Sequence, residues 1–331
     1  MLKYISLLLV TSFCFNAAAA DELVVYTSRK EHLIKDIFKQ YTEETGVKIT
    51  YKTGNAAALI QTLKAEASKS PADIFMTVDA GNLWFASHEG LLEPISSNKL
   101  KTNIPFNLRD EQGRWFGLSV RARTIAFNPN KVAKGELTTY EGLADKKWKG
   151  RLCLRTSKKV YNQSLVAMLI SELGKEKAKK VVKGWVDNTV EIFPNDTAVL
   201  KAVASGQCDA GIVNTYYFGR LKQKSPKLPL KLFWPNQENS YGVHVNVSGA
   251  GILKTSKNKD EARKLLEWLA SRKAQKSFAQ VNMEYPINNL FPESEVTKAW
   301  GKFKPNKSFN LSSAGKLQKE AIKLMREVRY K

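Results

Sequence analysis

Three tyrosines carry the most pointed chemistry in the chain. Tyr216 and Tyr217 are adjacent in the run Asn214-Thr215-Tyr216-Tyr217-Phe218-Gly219-Arg220, after a short apolar segment, Cys208 to Val213, that reads as a buried strand ending in a polar turn. Tyr161 opens the run Tyr161-Asn162-Gln163-Ser164, which follows a second strand, Arg151 to Arg155, and a loop, Thr156 to Lys159. Cys153 precedes Tyr161 by eight residues, and Cys208 precedes Tyr216 by the same eight. If the strands are parallel and in register, three phenols meet at the carboxyl end of the sheet, where open parallel sheets hold ligands, and two cysteines meet at the other end. Any one of these tyrosines alone is better read as an amphipathic core residue with a satisfied hydroxyl; a trio placed this way is better read as a ligand-holding set. Phenol oxygens suit hard cations. With a free pKa of ~10, they ligate only where the metal displaces the proton.

A second group is cationic. Alternation along Val120 to Phe127 puts Arg121 and Arg123 on one face. One of them is expected in a structural salt bridge and the other at an anion, which a guanidinium grips bidentately. Asn214 and Ser157, at the ends of the two tyrosine-bearing strands, are candidates for anion-binding or orienting hydrogen bonds. Glu31 and His32 are possible metal ligands and equally plain surface residues of the first helix. Enzymatic motifs are missing: there is no H-E-x-x-H, and Asn246-Val247-Ser248-Gly249 lacks the leading glycine of a nucleophile turn. The chain is therefore expected to bind rather than to catalyse.

The runs "VYNQS" and "NTYY", with "VVYTSRKEHL", "SPADIFMTVDAGNLW", "SVRARTIAFNP" and "MEYPIN", resemble the periplasmic ferric-ion-binding proteins, the substrate-binding subunits of Fe(III) ABC importers. The similarity extends over nearly the whole mature chain. It implies a two-lobed fold with Fe(III) in the cleft and Tyr161, Tyr216 and Tyr217 as phenolate ligands. It also implies a synergistic anion such as carbonate held by Arg121 or Arg123, and an inner-membrane ABC permease as partner. Three phenolates would neutralise a tripositive ion. Many relatives place a His or a His-Tyr pair in the loop after the first strand, where this chain has Lys30 and Glu31, with His32 one position later. The alternative is a binding protein for another small anion in the same cleft, with the arginines dominant.

Length and charge frame these sites. The chain has 331 residues, enough for two domains and two cores. Its formal net charge is +22, from 53 Lys and Arg against 31 Asp and Glu. The basic residues are scattered, without an arginine-rich or aromatic-interleaved module, so a solvated basic surface is expected and no nucleic-acid site. Residues 1–20 read as a secretory signal: Lys3, an apolar Ile5 to Phe15 too short to span a bilayer, then small residues before Asp21. The product is expected in the periplasm as a monomer, without membrane insertion. Cleavage leaves Cys153 and Cys208, and export to an oxidising compartment with the matched offsets makes a disulfide between them the expectation.

Along the chain, strands alternate with amphipathic helices. Thr27-Ser28 is read as the cap of the first helix, Gly46 as its end, Asn55 and Asp79 as starts of the next helices, and Asn195-Asp196-Thr197 as a cap in the second half. Gly242 to Ile252 reads as a returning strand with His244 structural, and Ala314 to Val328 as one C-terminal helix on the second lobe. The predicted class is α/β, a two-lobed periplasmic binding protein fold. Each lobe is a mixed, mainly parallel sheet flanked by helices, with crossing hinge strands. Residues 21–123 with 245–297 are expected to form the first lobe, and residues 124–244 with 298–331 the second.

Overall fold

A computed structural model describes residues 22–331; the expected signal segment lies outside the described residues. Nine strands form the framework: β1 (Glu22–Thr27), β2 (Lys48–Thr53), β3 (Ile74–Thr77), β4 (Phe116–Phe127), β5 (Leu152–Arg155), β6 (Thr189–Phe193), β7 (Ala210–Asn214), β8 (Lys231–Phe233) and β9 (Val245–Ile252). They join in the order β2-β1-β3-β9-β4-β7-β5-β6, with β8 also on β4. The β2-β1-β3 and β7-β5-β6 sets are parallel, whereas β9 runs antiparallel to β3 and β4, and β7 antiparallel to β4. Each parallel set needs helical crossovers, which the helices between its strands supply.

The long strand β4 explains how two lobes share one path. Its first part, through Ala122, pairs with β9; from Arg123 onward it pairs with β7. All of its residues except Phe127 are buried, so the strand is covered on both faces throughout. That burial also hides its start in the sequence. Phe116 to Ser119 alternate no polar face, and the strand begins four residues before the alternation at Val120 signals it. A second crossing runs beside it: the Arg123 amide donates to the His244 carbonyl, next to the start of β9. A third contact is made by Tyr285, which bridges Val120.

Local signals place most helix ends. Asn55 accepts from the Ala57 and Ala58 amides, Asp79 from Gly81 and Asn82, and Asn195 from Ala198, which satisfies donors that a helix start leaves free. Gly46 ends the helix Lys35–Thr45 at φ 77°, a left-handed conformation that glycine adopts without cost. Thr27-Ser28 does not cap that helix. Thr27 Oγ1 accepts from the Arg29 amide and Ser28 Oγ bonds Thr77 Oγ1, so a single 3-10 turn, Glu31–Leu33, intervenes before Lys35.

The C-terminal segment also differs from the single helix expected. It forms two helices, Ser312–Lys316 and Gln318–Glu327. The first packs on the helix Ala80–His88, where Gly315 lies so close to Trp84 that a Cβ would sit 2.5 Å from the ring. The second packs on the helix Val160–Leu173. The C-terminus therefore touches elements of both halves of the sheet rather than the second lobe alone.

Cys153 and Cys208 are joined in a disulfide, with Cα atoms 5.9 Å apart. The reason is not the equal offset. β5 pairs with β7 through Leu152–Ala210 and Cys153–Gly211, a register three residues away from one that would align the cysteines. Cys208 instead lies in the bend before β7, where the Asp209 and Ala210 amides both donate to the Arg151 carbonyl and bring the bend against β5.

Candidate metal centre

The parallel pairing of β5 and β7 dictates where the tyrosines go. Both strands end at the same edge of the sheet, and each is followed by a helix that starts there. β7 runs directly from Asn214 into the helix Thr215–Lys224, so Tyr216 and Tyr217 occupy its first turn rather than an open turn. β5 is followed by the loop Thr156–Lys159 and the helix Val160–Leu173, which places Tyr161 in its first turn. The loop takes up the three-residue difference in register. Two helix N-termini thus flank the phenols, and their dipoles favour negative charge at the phenol oxygens.

Tyr161 and Tyr216 are both 7% exposed, and Tyr217 is half-buried beside Tyr216, their ring centroids 4.3 Å apart. Burial pushes the Tyr161 phenol above its ordinary pKa. Arg121, a hydrogen bond from Tyr216, and Arg155 pull against the rise, while charge on Tyr217 adds to it. Tyr216 is raised further, by burial first and then by charge on Tyr161 and Tyr217. The Tyr161 and Tyr216 phenols therefore keep their protons until a cation displaces them. Among the described residues no group of three or more His, Cys, Asp or Glu could hold a metal ion.

The two arginines of β4 separate clearly. Arg123 is committed: its guanidinium donates to Asp196 Oδ1 at 3.1 Å, Asn214 Oδ1 at 3.1 Å, Asn162 Oδ1, and the Ile212 carbonyl at 3.2 Å. Arg121 donates to Ser248 Oγ at 2.7 Å and the Val247 carbonyl at 3.1 Å, and its guanidinium stands 5.6 Å from the centre of the Tyr161 ring. Its Nε is buried without a hydrogen-bond partner, as is that of Arg123, so the difference between them lies in the carboxylate that Arg123 alone contacts. Burial works against charge on Arg121, but Tyr161, Glu284, Tyr216 and Asp79 outweigh it and hold the guanidinium protonated.

Asn214 gives its oxygen to Arg123 and leaves a buried Nδ2 without a partner at the edge of the tyrosine turn. Ser157 is half-buried and tied by its backbone, its amide to the Lys331 carbonyl and its carbonyl to Gln163. Glu31 and His32 are exposed; Glu31 accepts from the Tyr51 hydroxyl at 3.1 Å, on the neighbouring strand β2.

Several residues that the sequence did not mark complete the centre. Arg155, the last residue of β5, pairs with Asp196 at 2.6 Å and lies 5.3 Å from the Tyr161 ring and 6.0 Å from the Tyr217 ring. Asp196 is fully buried between Arg123 and Arg155, a neutralising role concealed by its place in a helix-start signature. Beneath Arg121, Ser248 Oγ also accepts from Arg29, and Arg29 pairs with the buried Glu284 at 3.2 Å, which Ser119 hydrogen-bonds too. Burial would raise the Glu284 carboxyl, yet Arg29, Arg121 and these hydrogen bonds hold it below its ordinary value. Asn246 links the two sides of the sheet, donating to Asp79 Oδ2 and Ser164 Oγ, each at 2.8 Å. The signal for these residues was charge inside apolar runs, as in Leu154-Arg155 and Met283-Glu284-Tyr285.

Comparison with known proteins follows from this geometry. Residues 26–276 match the family pattern described as bacterial extracellular solute-binding protein. Iron uptake protein A1 of Synechocystis sp. (strain ATCC 27184 / PCC 6803 / Kazusa) is 42% identical over 318 residues, 94% of this chain and 88% of its own length. The Fe(3+)-binding periplasmic protein of Serratia marcescens is 29% identical over 84% of this chain and 83% of its own length. The solved structure of Trichodesmium IdiA (FutA) in complex with iron and citrate ligands superimposes with a TM-score of 0.89 at 45% identity, covering 94% of this chain and 100% of that one. The apo structure of FutA2 from Synechocystis PCC6803 gives 0.88 at 37% identity, over 95% and 100%.

Proposed function

The chain belongs to the bacterial extracellular solute-binding proteins, and from that premise we propose that it captures Fe(III) in the periplasm through the phenolates of Tyr161, Tyr216 and Tyr217 and hands it to an inner-membrane ABC permease. The observation that carries this reading is the meeting of three phenols on the first turns of two helices, at the end of adjacent parallel strands. The names of the relatives support it: an iron uptake protein, a periplasmic Fe(3+)-binding protein and an iron complex share most of this chain's length. It is a binding protein rather than an enzyme, and iron is its cargo.

Arg121 is the residue proposed to hold a synergistic anion, carbonate or a small carboxylate, beside the metal. Its lack of a carboxylate in ion-pair contact, where Arg123 has Asp196, and its place over Tyr161 support that role, and Asn214 Nδ2 is a second donor without a partner. Ser157 is retained as a donor to the same anion. Glu31 and His32 lie on the exposed loop after β1 and are left out of the proposed ligand set. The lobes are assigned to residues 21–123 with 245–297 and to residues 124–244 with 298–331, in keeping with the change of partners along β4. The mature protein is expected to act as a monomer.

The test is the visible spectrum of the iron-loaded mature protein. Phenolate ligation gives a broad ligand-to-metal charge-transfer band, and the band should disappear on acidification as protons compete for phenolate. A colourless Fe(III) complex would overturn the assignment in favour of a cleft that binds another small anion through Arg121.

A further inference from the structure

The excess positive charge is not spread evenly. Residues 124–244 and 298–331 hold 30 Lys and Arg against 12 Asp and Glu, whereas residues 21–123 and 245–297 hold 22 against 19. Nearly all of the protein's net charge therefore belongs to one lobe. Within it, the helix Gln318–Glu327 buries Ala321, Leu324 and Met325 against the helix Val160–Leu173. Its opposite side presents Lys319, Lys323 and Arg326, spaced four and three apart and all exposed. The neighbouring helix Lys175–Asn188 joins it through Lys175–Glu320 at 3.4 Å and Lys179–Glu327 at 2.6 Å. Those pairs consume the two acidic residues of the C-terminal helix. Lys319, Lys323, Arg326 and the adjacent Lys180 keep no ion-pair partner among the described residues.

We infer that this face attaches the protein reversibly to an anionic lipid bilayer through headgroup phosphates. The chemistry of the face selects that occupant. Its charges are on long, flexible stems over two side-by-side helices, which suits a diffuse anionic surface; a discrete anion would need a convergent pocket. The helix has already spent its apolar side on the core, so it has nothing to insert and can only rest at headgroup level. No exposed aromatic residue stands among these cations to stack on a base, which argues against nucleic acid. Attraction of this kind acts per charge and fades beyond about 8 Å at physiological salt. The attachment would keep a diffusing carrier near the membrane without an anchor. It stands apart from the iron site, because none of these residues touches the tyrosines.

The experiment is co-sedimentation of the mature, iron-loaded protein with vesicles of phosphatidylcholine alone and of phosphatidylcholine with phosphatidylglycerol, at low and physiological ionic strength. The wild type should bind only the anionic vesicles and release as salt rises. K319E/K323E/R326E should lower the partition coefficient on the order of tenfold or more, and the neutral K319Q/K323Q/R326Q should fall between. A control with the same charge change at exposed lysines off these two helices, K224E/K227E/K302E, should stay within about threefold of wild type if the contact is made by this face. An unchanged charge-transfer band reports that each variant is folded and loaded. No binding to anionic vesicles overturns the inference. So does equal loss in the two charge-reversed variants, which would show a bulk charge effect without a docking face.

Discussion

Arg121 and Arg123 lie on the same side of β4 two positions apart, yet only Arg123 has a carboxylate in ion-pair contact, Asp196 at 3.1 Å, while Arg121 stands over the ring of Tyr161 at 5.6 Å. Neighbouring guanidiniums on one strand face repel unless each has its own compensation. Here the compensation comes from different sides: Arg123 shares Asp196 with Arg155, and Arg121 is balanced by Glu284, Asp79 and the phenols.

This division predicts opposite phenotypes. Arg123→Ala strands Asp196 with one cation and leaves the oxygens of Asn162 and Asn214 without their shared donor. Breaking a buried pair from one side costs roughly 3–5 kcal/mol, so chemical denaturation should show a loss of that order. Arg121→Ala gives up hydrogen bonds to Ser248 and Val247 and should cost less, roughly 1–3 kcal/mol, while weakening iron retention in a competition titration with citrate. Equal effects of the two variants on iron would contradict the separation.

Reduction of the disulfide should loosen the fold where the tyrosines are displayed. Cys153 and Cys208 close a loop with a separation of 55 residues, for which chain entropy gives about 4 kcal/mol of stabilisation. The Cys153→Ala/Cys208→Ala variant should lose stability of that order and release iron faster, because β5 and β7 lead into the two helices that carry the phenols. Denaturation curves of oxidised and alkylated protein would measure it. Coincident curves would show that the strands hold without the link.

The tyrosine constellation was legible in sequence because each part is local: an apolar strand, then a phenol in the next helix's first turn. The helix caps at Asn55, Asp79 and Asn195 were legible for the same reason, since one polar side chain satisfies amides two or three residues away. What was not legible depends on contacts far apart in the chain. Arg155 and Asp196 are 41 residues apart, and Arg29 and Glu284 255 apart, and only the folded sheet brings them together. The cysteine register had the right outcome for a different reason, because the bend before β7 rather than strand alignment closes the gap. The break at Leu317 was hidden because Gly315 fits a helix pattern from either side, and its need to lie flat on Trp84 is a tertiary demand.

His244 gives the apo protein a defined response to acid. Burial, reinforced by Arg123 and Arg121, holds its imidazole down at about 3, against 6.5 ordinarily. Between those values the unfolded chain binds a proton that the folded chain refuses, so stability falls as pH drops from 6.5. The loss approaches about 1.4 kcal/mol per pH unit and stops near 3. Glu284, held low by burial's opponents Arg29 and Arg121, adds its own loss only below its ordinary 4.5. The buried Asp79 carboxyl, raised by burial, acts in the opposite sense, so in denaturation of metal-free protein it is the comparison with His244→Gln between those two onsets, not the raw profile, that isolates the histidine. His244→Gln should show a flatter profile there; an unchanged slope would place the acid sensitivity elsewhere.

The tyrosines themselves give the most direct test. Replacing Tyr161, Tyr216 or Tyr217 by Phe keeps each ring and removes one proposed ligand oxygen. Tyr161 and Tyr216 are buried and raised in pKa, so the phenylalanine variants lose no charge in the metal-free state and should fold. With iron they should differ. Tyr161→Phe removes the phenol that packs between Arg121 and Arg155, which lie 5.6 and 5.3 Å from its ring. The two guanidiniums would then face the metal with less negative charge between them, so this variant should lose affinity most steeply, tenfold for each ~1.4 kcal/mol of lost ligation. Tyr216→Phe and Tyr217→Phe should each shift and weaken the charge-transfer band, and the double variant should abolish it. Titration with Fe(III) citrate, followed by absorbance and by equilibrium dialysis, distinguishes loss of colour from loss of iron. A Tyr216→Phe/Tyr217→Phe protein with wild-type affinity and spectrum would remove these residues from the ligand set.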